Sequence, residues 1–508
     1  MATLNLLEVV SLFAVAMVVV TLGWRILNSP LNAADDAHWS VRLTGAWIWW
    51  QRITDKDAQA VHDAHVRLGP AVRLGPKELS INDVDGGLKP IYDGRLPKTD
   101  FYDVANSYGE SPMVAIRDEK QHQMRKRLVA KPYAKSTVMH DQAWNTEQGR
   151  LADELVKALD EQLKTSSDIE LYDIFYAWAV TTTSAYIFGA NAGLNLLGNI
   201  SEARRVREEY FTQRTPQFIS AVLPIPTIFR QWTGTQAEIQ WIWQSQERAE
   251  KAVQSAPKQT SEDRWTSVYS FMKKSMSPET SKQDPPAVQL SAKETAIVSS
   301  ELQDHMIAGI DTSIAALGAC AWLLSIDSNR QWQHRLREEV KQVPTTASFA
   351  QLEQLPVLNA IVKETLRLFP PVAGGQPRVT DKPVLLGPEG HRIHVPAGIK
   401  VHSQALTLHR SEVFERPDLF CPERWLDSSP DRVNEMERWF WAFGSGTRRC
   451  VGEHLGLSNI RFAIATIWRT FETRETQKTK FTVGKGTISM SLPNGGDFIR
   501  LRVERVGS

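Results

Sequence analysis

Residues 443–452 read Phe-Gly-Ser-Gly-Thr-Arg-Arg-Cys-Val-Gly, and the run EHLGLSNIRFAIATIW follows at 453–468. The glycines allow a tight turn and a close approach of the backbone to a flat group, and Phe443 can shield the cysteine sulfur. The apolar spacing of the second run predicts a helix whose N-terminal field points toward Cys450. The stretch has two interpretations: a loop that presents a thiolate to a metal, or a buried, inert cysteine in a glycine-rich turn.

The segment FGSGTRRCVG resembles the haem-binding loop of the cytochrome P450 family, and it matches every fixed position of that loop. The resemblance implies that Cys450 is the axial thiolate ligand of a haem b iron. It also implies that Arg448 reaches an anionic propionate of the same haem. The resemblance covers roughly residues 60–505, and within the family it is nearest to the fungal enzymes of secondary metabolism.

A second motif is the pair Glu364 and Arg367, three residues apart on one face of a predicted helix. Most such pairs are exposed and contribute less than about 1 kcal/mol to stability. In the cytochrome P450 family the same motif forms a buried pair that a further arginine completes, and the resemblance assigns that position to Arg424 in the stretch Pro422–Trp425. The implied role is structural, on the haem side of the core, and not catalytic.

A third motif, AGIDTS at 308–313, lies inside a long helical pattern. The Thr312 hydroxyl can bond a carbonyl one turn earlier and Gly309 lacks a side chain, so we expect a bend or a groove that admits a small ligand. The motif resembles the AGxDT segment of the P450 family, which implies that Asp311 and Thr312 deliver protons during oxygen activation. An ordinary buried helix with a kink is the alternative. His305 either faces the pocket or is a structurally satisfied histidine.

Haem carboxylates need cationic or hydrogen-bonding partners, and the resemblance assigns Arg378 to them in addition to Arg448. It also assigns His122 and Lys126, where the family often has Trp or His followed four residues later by Arg. Lysine keeps the charge but lacks the bidentate fork, so the arginine on either side of Lys126 is an alternative. The same basic run is typical of a solvated helix face, and it resembles the surface on which an acidic electron-donor protein docks.

Composition excludes several protein classes. Of 508 residues, 42% are hydrophobic and 23% charged, which excludes a disordered chain, and the net charge of +1 excludes a general nucleic-acid binder. Three widely separated cysteines exclude a disulfide scaffold and a cysteine-rich zinc module. The apolar spacing predicts a mainly α fold with small β-sheets, the fold of the P450 family. Antiparallel hairpins are predicted at 70–82 and 391–403, and helices at about 144–164, 171–190, 236–255, 291–325, 328–342, 356–368 and 452–470.

The N-terminal stretch 4–27 is apolar and long enough to cross a bilayer as one transmembrane helix. A cleaved signal peptide is the alternative, although no Lys or Arg precedes the apolar run. Arg25 and Arg42 follow the span whereas Glu8 precedes its apolar part, which favours a cytosolic location for the rest of the chain. We therefore expect a single-pass protein of the endoplasmic reticulum membrane. The expected parts are a transmembrane anchor at 4–27, a linker and membrane-proximal segment at 28–59, and a haem-thiolate monooxygenase domain at 60–508.

The resemblance implies an oxidoreductase, a haem-thiolate monooxygenase that inserts one oxygen atom from dioxygen into a lipophilic small molecule of secondary metabolism. No GxGxxG fingerprint is visible, so the electrons come from NADPH through a separate NADPH-cytochrome P450 reductase, with cytochrome b5 as an optional second donor. Two rivals are a reductase-independent haem-thiolate isomerase or dehydratase, against which the Asp311-Thr312 pair argues, and a non-enzymatic haem sensor. The expected substrate-contacting segments are Phe101–Val114, Tyr210–Trp243, Val372–Gly375 and the turn near Met490–Pro493.

Overall fold

The computed structural model describes residues 6–209, 267–276, 290–476 and 499–507, together with Gln244, Glu247 and Lys251. Over these residues the chain is mainly helical with small sheets, as predicted. Residues 200–209 are also helical. The labelled α-helices are α1 (Leu6–Leu27), α2 (Ala46–Ile53), α3 (Asp57–Leu68), α4 (Glu119–Arg127), α5 (Ala130–Tyr133), α6 (Lys135–His140), α7 (Gln142–Leu163), α8 (Leu171–Phe188), α9 (Val268–Met276), α10 (Ala292–Ser325), α11 (Arg330–Val340), α12 (Phe349–Glu353), α13 (Pro356–Leu368), α14 (Ala405–Leu408), α15 (Glu423–Leu426), α16 (Pro430–Trp439) and α17 (Glu453–Thr470).

The strands are short and form small sheets at the margin of the helices. The five-stranded sheet has the order β1-β2-β3-β8-β5, in which β1 is parallel to β2 and β3 is parallel to β8. A three-stranded antiparallel sheet has the order β4-β10-β9, and β6 pairs with β7. The strands are β1 (Asp35–Asp36), β2 (Ala71–Gly75), β3 (Glu78–Ile81), β4 (Asp168–Glu170), β5 (Arg378–Val379), β6 (Val384–Leu386), β7 (Ile393–Val395), β8 (Lys400–His402), β9 (Phe471–Glu475) and β10 (Arg500–Arg505).

The long helix α10 is the central element of the core. It begins at a capping box in which Ser291 and Glu294 each bond the backbone N–H of the other. Within the described residues, α10 contains a window long and apolar enough to cross a membrane, of which 72% is buried inside the protein, and Val10–Trp24 within α1 is a shorter apolar stretch. This burial is typical of the core helix of a globular domain, because a helix that is apolar on all sides needs protein around it in water.

Helix α10 packs along α8, in which every residue is buried. A Cβ atom added at Gly309 would lie 2.7 Å from the Cγ2 atom of Thr183 on α8. The missing side chain therefore lets the two helices approach closely. The expectation that Gly309 opens a groove for a ligand is wrong, since Thr183 fills the space that the glycine leaves.

One of the two predicted hairpins forms. β2 and β3 pair antiparallel, with Val72 opposite Ser80, as predicted for 70–82. The prediction of a hairpin at 391–403 is wrong, because β7 pairs with β6 whereas β8 lies between β3 and β5. Between β7 and β8 the chain turns at Gly398, whose φ is +83° and whose N–H donates to the Thr380 carbonyl at 2.7 Å. Alternation of apolar and polar residues identifies a strand but does not select its partner.

The predicted helices are present where the structure describes the chain, with bounds that differ by a few residues. The predicted helix 236–255 lies outside the described residues except for Gln244, Glu247 and Lys251, and residues 1–5 of the N-terminal stretch also lie outside them. The stretch predicted as a linker, 28–59, contributes β1 and the buried side chains of Leu31 and Ile48. This stretch is therefore an ordered part of the folded body, and its position beside a membrane stays a prediction.

Candidate functional site

The cysteine loop is a closed turn that precedes α17. The backbone N–H of Cys450 donates to the carbonyl oxygen of Phe443 at 2.9 Å, and a single 3₁₀ turn, Gly446–Arg448, lies between them. Gly446 has a φ of +66°, and a Cβ atom there would lie 2.8 Å from the carbonyl oxygen of Tyr92. Only glycine fits this position, because both the left-handed backbone and the contact exclude a side chain.

Cys450 differs from the other two cysteines in its exposure. Cys320 and Cys421 are buried, whereas the Cys450 side chain is accessible to solvent. Burial by the surrounding protein nevertheless raises the pKa of the Cys450 thiol to about 11, although the backbone N–H of Gly452 acts in the opposite direction. The Cys450 sulfur is therefore accessible although protein surrounds it, as expected for an atom that lines a recess. A bound metal cation would keep this sulfur ionised at neutral pH, because metal coordination deprotonates a thiol.

Three cations lie close together beside this loop. Arg448 donates to the carbonyl oxygens of Ile116 and Arg117, at 2.6 and 2.8 Å. Arg378 donates to the hydroxyl of Tyr102 at 2.8 Å. The third cation, Lys98, is buried and donates to the carbonyl of Val114 in a short hydrogen bond. No sequence motif marks Lys98 as a site residue. Its position depends on the bridge that pairs Lys98 with Arg378.

These cations repel one another. Burial, followed by the charges of Arg378 and Arg448, holds the pKa of Lys98 well below its usual value. His122 is also buried, and its Nδ1 atom has no hydrogen-bond partner within the part of the chain that the structure describes. Burial and the charges of Arg448 and Lys98 lower the pKa of His122 to about 4. Glu119, whose carboxylate lies 3.4 Å from Arg448, offsets part of this charge. Burying the remaining donors and positive charges is costly, and a bound anion would stabilise them.

Lys126 contacts the cysteine loop in this structure, and its binding to a haem carboxylate stays a prediction. Its ammonium group donates to the carbonyl oxygen of Thr447 at 2.9 Å and lies 3.5 Å from that of Arg449. Its observed contacts are therefore with the backbone of the cysteine loop. The neighbouring Arg125 binds Glu301 at 3.1 Å, whereas Arg127 is exposed. Of the two arginines of α4 that could replace Lys126 at a haem carboxylate, Arg125 is thus paired with an acid and Arg127 faces solvent.

The residues around the loop fit a haem. A haem is flat and carries two carboxylates on one edge, which match the cations of Lys98, Arg378 and Arg448 and the free Nδ1 of His122. Gly452 and Gly456 lie on one face of the start of α17, and a Cβ atom added at either would meet nothing within 4 Å. The loop therefore leaves open space for a planar group next to the sulfur.

The Glu364 motif forms a buried network, as the resemblance implies. The Glu364 carboxylate accepts from Arg367 at 2.8 and 2.9 Å and from Arg424 at 3.1 Å. It also accepts the indole N–H of Trp425 and the backbone N–H of Cys421, both at 2.9 Å. Glu364 and Arg367 have no exposed side-chain surface. The alternative of a solvated surface pair is therefore excluded.

On α10, the predicted residues lie on two faces. Ala308 is exposed and Thr312 is half-buried one turn later, and the Thr312 hydroxyl donates to the Ala308 carbonyl at 2.7 Å. This face of the helix borders open space, whereas Asp311 is completely buried. His305 is buried, with its Nδ1 atom 3.1 Å from the Tyr133 hydroxyl and its Nε2 atom 3.3 Å from the Glu301 carboxylate, and these contacts favour the structural alternative.

Tyr133 connects this face of α10 with the cysteine. Burial, followed by the nearby acidic groups, which include Cys450, holds the pKa of the Tyr133 phenol well above its usual value. Tyr133 thus lies close to both His305 and Cys450, and the same part of the molecule contains the thiol and the α10 motif. Of the predicted substrate segments, Phe101–Val114 and Val372–Gly375 are described, whereas Tyr210–Trp243 and Met490–Pro493 lie outside the described residues.

Comparison with known proteins identifies the family. Residues 89–498 match the family model described as Cytochrome P450. The chain is 27% identical over 470 residues to the cytochrome P450 monooxygenase gsfF of Penicillium aethiopicum, which covers 87% of this chain and 88% of the relative. It is 25% identical over 472 residues to the monooxygenase macH of Penicillium terrestre, with 88% of each chain covered. The monooxygenase cypX of Dothistroma septosporum is 24% identical over 446 residues, which cover 87% of this chain and 84% of the relative. The match spans the cysteine loop, the Glu364 network and the α10 motif, and the chain belongs to the cytochrome P450 family.

Proposed function

We propose that this protein is a haem-thiolate monooxygenase with Cys450 as the axial ligand of haem b, acting on a lipophilic small molecule of fungal secondary metabolism. The observation that carries the proposal is the accessible Cys450 thiol in a closed loop beside the clustered basic side chains of Lys98, Arg378 and Arg448. The names of the fungal relatives support the same reaction class. The apolar character of the predicted substrate segments supports a lipophilic substrate.

The haem, when bound, would supply the oxidising chemistry, and the protein would bind it and manage protons. Lys98, Arg378 and Arg448 would hold its carboxylates, and we assign to Phe443, whose carbonyl accepts the Cys450 N–H, the shielding of the sulfur. On α10, the Thr312 hydroxyl would hold the proton to be delivered. In this structure that hydroxyl donates a hydrogen bond to the Ala308 carbonyl. We assign to Asp311, the preceding buried acid, the resupply of that proton.

The electrons would come from NADPH through a separate reductase, and cytochrome b5 is a further candidate donor. Exposed cations surround the cysteine loop, among them Lys120, Arg127, Lys135 and Arg449. Arg127 and Lys120 lie on the exposed side of α4, while His122 on the same helix is buried. A basic surface of this kind attracts an acidic electron-donor protein.

The location proposed is the endoplasmic reticulum membrane, with the haem domain in the cytosol. Helix α1 has 22 residues, about 33 Å at 1.5 Å per residue, which matches a hydrocarbon core of about 30 Å. Its apolar side chains from Val10 to Leu22 are exposed in the protein alone. Beyond it, Trp39 and Trp50 are 79% and 64% exposed, as suits residues at a membrane interface. These features support an anchor at 4–27 and a membrane-proximal role for 28–59.

The test is spectroscopic and then catalytic. Reduced holoprotein exposed to carbon monoxide should show the absorption band of a thiolate-bound haem, and Cys450→Ser should lose that band. Cys421→Ser is the control, because that thiol is buried and is not assigned to the haem, so its replacement should leave the band unchanged. Candidate substrates are then supplied with and without NADPH and reductase. Absence of the band in the folded, haem-supplied protein, or equal turnover without electrons, would overturn the proposal.

A further inference from the structure

Glu301 joins three parts of the molecule that border the candidate site. It lies on α10, is completely buried, and contacts both the loop 107–113 and helix α4. We propose that Glu301 is a positioning residue that holds the substrate-side loop 107–113 in place against α10. This inference rests on the proposed function, because that function assigns the segment Phe101–Val114 to the substrate.

The loop 107–113 needs anchors because its turn is strained. Tyr108 has a φ of +55° and Gly109 a φ of +73°, and a non-glycine residue in this region costs free energy that other contacts must offset. The turn is closed by the backbone bridge between Ser107 and Glu110. It is tied to α10 by the hydroxyl of Ser300, which lies 3.3 Å from the Glu110 carbonyl and 3.2 Å from the Ser107 hydroxyl.

Glu301 provides the second and stronger anchor. Its carboxylate accepts the backbone N–H of Met113 at 3.0 and 3.2 Å and the guanidinium of Arg125 at 3.1 Å. Arg125 also lies 3.3 Å from the carbonyl of Ser111, so the ion pair holds the loop from two sides. Hydrogen bonds to a charged group are the stronger ones in a protein interior.

The carboxylate is ionised in this environment. Burial by itself raises the pKa of Glu301, but the contact with His305, the charge of Arg125 and the Met113 N–H lower it below its ordinary value. An ionised and completely buried carboxylate is stable only while its partners stay in place. Movement of the loop away from α10 would leave this charge uncompensated, and the closed position of the loop is therefore favoured.

A metal ion is an alternative occupant of this place, since ligand atoms of Glu301, Asp304 and His305 lie within 4.8 Å of one another. The guanidinium of Arg125 already contacts the Glu301 carboxylate. A divalent cation at the same carboxylate would be repelled by that charge. The cluster is therefore interpreted as an ion pair that positions a loop, and not as a metal centre.

The position of Glu301 gives this anchor a consequence for ligand binding. Helix α4 carries Arg125 and, one turn earlier, the buried His122, and α10 carries Ala308 and Thr312 two and three turns after Glu301. The Glu301 carboxylate thus fixes the relative positions of the loop 107–113, helix α4 and the open face of α10. Loss of the anchor should weaken the binding of a large ligand at the haem more than that of a small one.

The test uses the haem-loaded full-length protein and the variants Glu301→Ala, Glu301→Gln and Arg125→Gln. Hydrogen exchange is measured for the peptide that covers 107–113, and Kd is measured from the haem absorption shift with imidazole and with 4-phenylimidazole. In Glu301→Ala we expect exchange of the loop amides and the Kd of 4-phenylimidazole each to rise about tenfold, the size of one charge-assisted hydrogen bond. The Kd of imidazole should change by less than about twofold, because so small a ligand need not touch the loop.

Glu301→Gln keeps an oxygen for the Met113 N–H but loses the ion pair, so its loop exchange should lie between those of wild type and Glu301→Ala. Glu161→Gln, which removes a carboxylate paired only with Lys164 on the surface, is the matched control and should change neither readout. A merely structural role would raise exchange throughout the helices without selecting the loop or the larger ligand.

Unchanged loop exchange in Glu301→Ala, or equal weakening of both imidazoles, would overturn the proposal. If Glu301→Ala does not retain haem, the milder Glu301→Gln and Arg125→Gln variants decide by the same two readouts. If wild-type protein lacks the thiolate-haem band, the proposed function fails, whereas the comparison of loop exchange still judges the role of Glu301.

Discussion

The imidazole of His409 accepts the backbone N–H of Trp441 at 2.7 Å. Because Nε2 is the acceptor, the ring proton is on Nδ1, which lies 2.9 Å from the carbonyl oxygen of Arg367. His409 thereby joins the helix of the Glu364 network to the start of the cysteine loop. It also stacks on Phe440, with ring centroids 5.2 Å apart. No sequence motif marks this histidine, and only the fold shows its role.

This arrangement predicts an acid-sensitive stability. Burial and the charge of Arg367 lower the pKa of His409 from 6.5 to about 3. Between these two values the unfolded chain binds more protons than the folded protein, so the free energy of unfolding falls as the pH falls. The contribution of His409 is complete above pH 6.5, and about 2 kcal/mol of it is lost on acidification to pH 5.

His409→Gln should be less stable than wild type at pH 7 but should lose less stability on acidification, because glutamine accepts the Trp441 N–H and does not titrate. Thermal midpoints at pH 7 and pH 5 measure the difference. His140→Gln, at an exposed position, should keep the wild-type acid dependence. Identical acid dependence in wild type and His409→Gln would contradict the assignment.

Replacement of Glu364 should strongly lower the free energy of unfolding. Glu364→Gln leaves the buried guanidinium groups of Arg367 and Arg424 without a counter-charge, which costs about 3–5 kcal/mol. The yield of haem-loaded protein and its unfolding transition report the loss. Glu338→Gln, which removes a surface partner of Lys341, should cost less than about 1 kcal/mol. Similar losses in the two variants would show that the network is not the structural centre described here.

The contact between α8 and α10 can be tested with a pair of substitutions. Gly309→Ala should destabilise the protein by about 1–3 kcal/mol, because the new methyl group meets Thr183. Thr183→Ala removes the Cγ2 and Oγ1 atoms, which lie 2.7 and 3.0 Å from that methyl position, and should restore most of the loss. Thermal midpoints of the four proteins of this cycle measure the coupling. Additive effects of the two substitutions would exclude the contact as the reason for glycine at 309.

Lys98 should matter for haem retention. Lys98→Met removes one buried cation from the cluster with Arg378 and Arg448, so haem should leave the protein about tenfold faster, as expected for one charge-assisted bond. Transfer of haem to an excess of apomyoglobin measures the rate. Lys89→Met, at an exposed position, should leave it unchanged. Equal rates for wild type and Lys98→Met would remove Lys98 from the proposed haem site.

The motifs that lie within a few residues of one another were predictable because local chemistry defines them. The turn around Gly446 and the i, i+3 pair of Glu364 and Arg367 depend on backbone geometry over one turn. The bond from Thr312 to Ala308 is likewise a property of a single helix. The hairpin prediction at 391–403 failed for the opposite reason, since strand partners lie far apart in the chain and alternation is the same for every partner.

The amino-acid sequence alone determined the family, the mainly helical architecture and which of the three cysteines is the candidate ligand. Each of these depends on short patterns of residue type. The tertiary structure alone determines that Lys98 lies next to Arg378, that Lys126 contacts the backbone of the cysteine loop, and that His409 accepts the N–H of Trp441. These buried charges and hydrogen bonds obtain their partners from segments that are distant in the sequence. The strength of those contacts depends on distance and burial, which the folded chain establishes and a linear pattern does not contain.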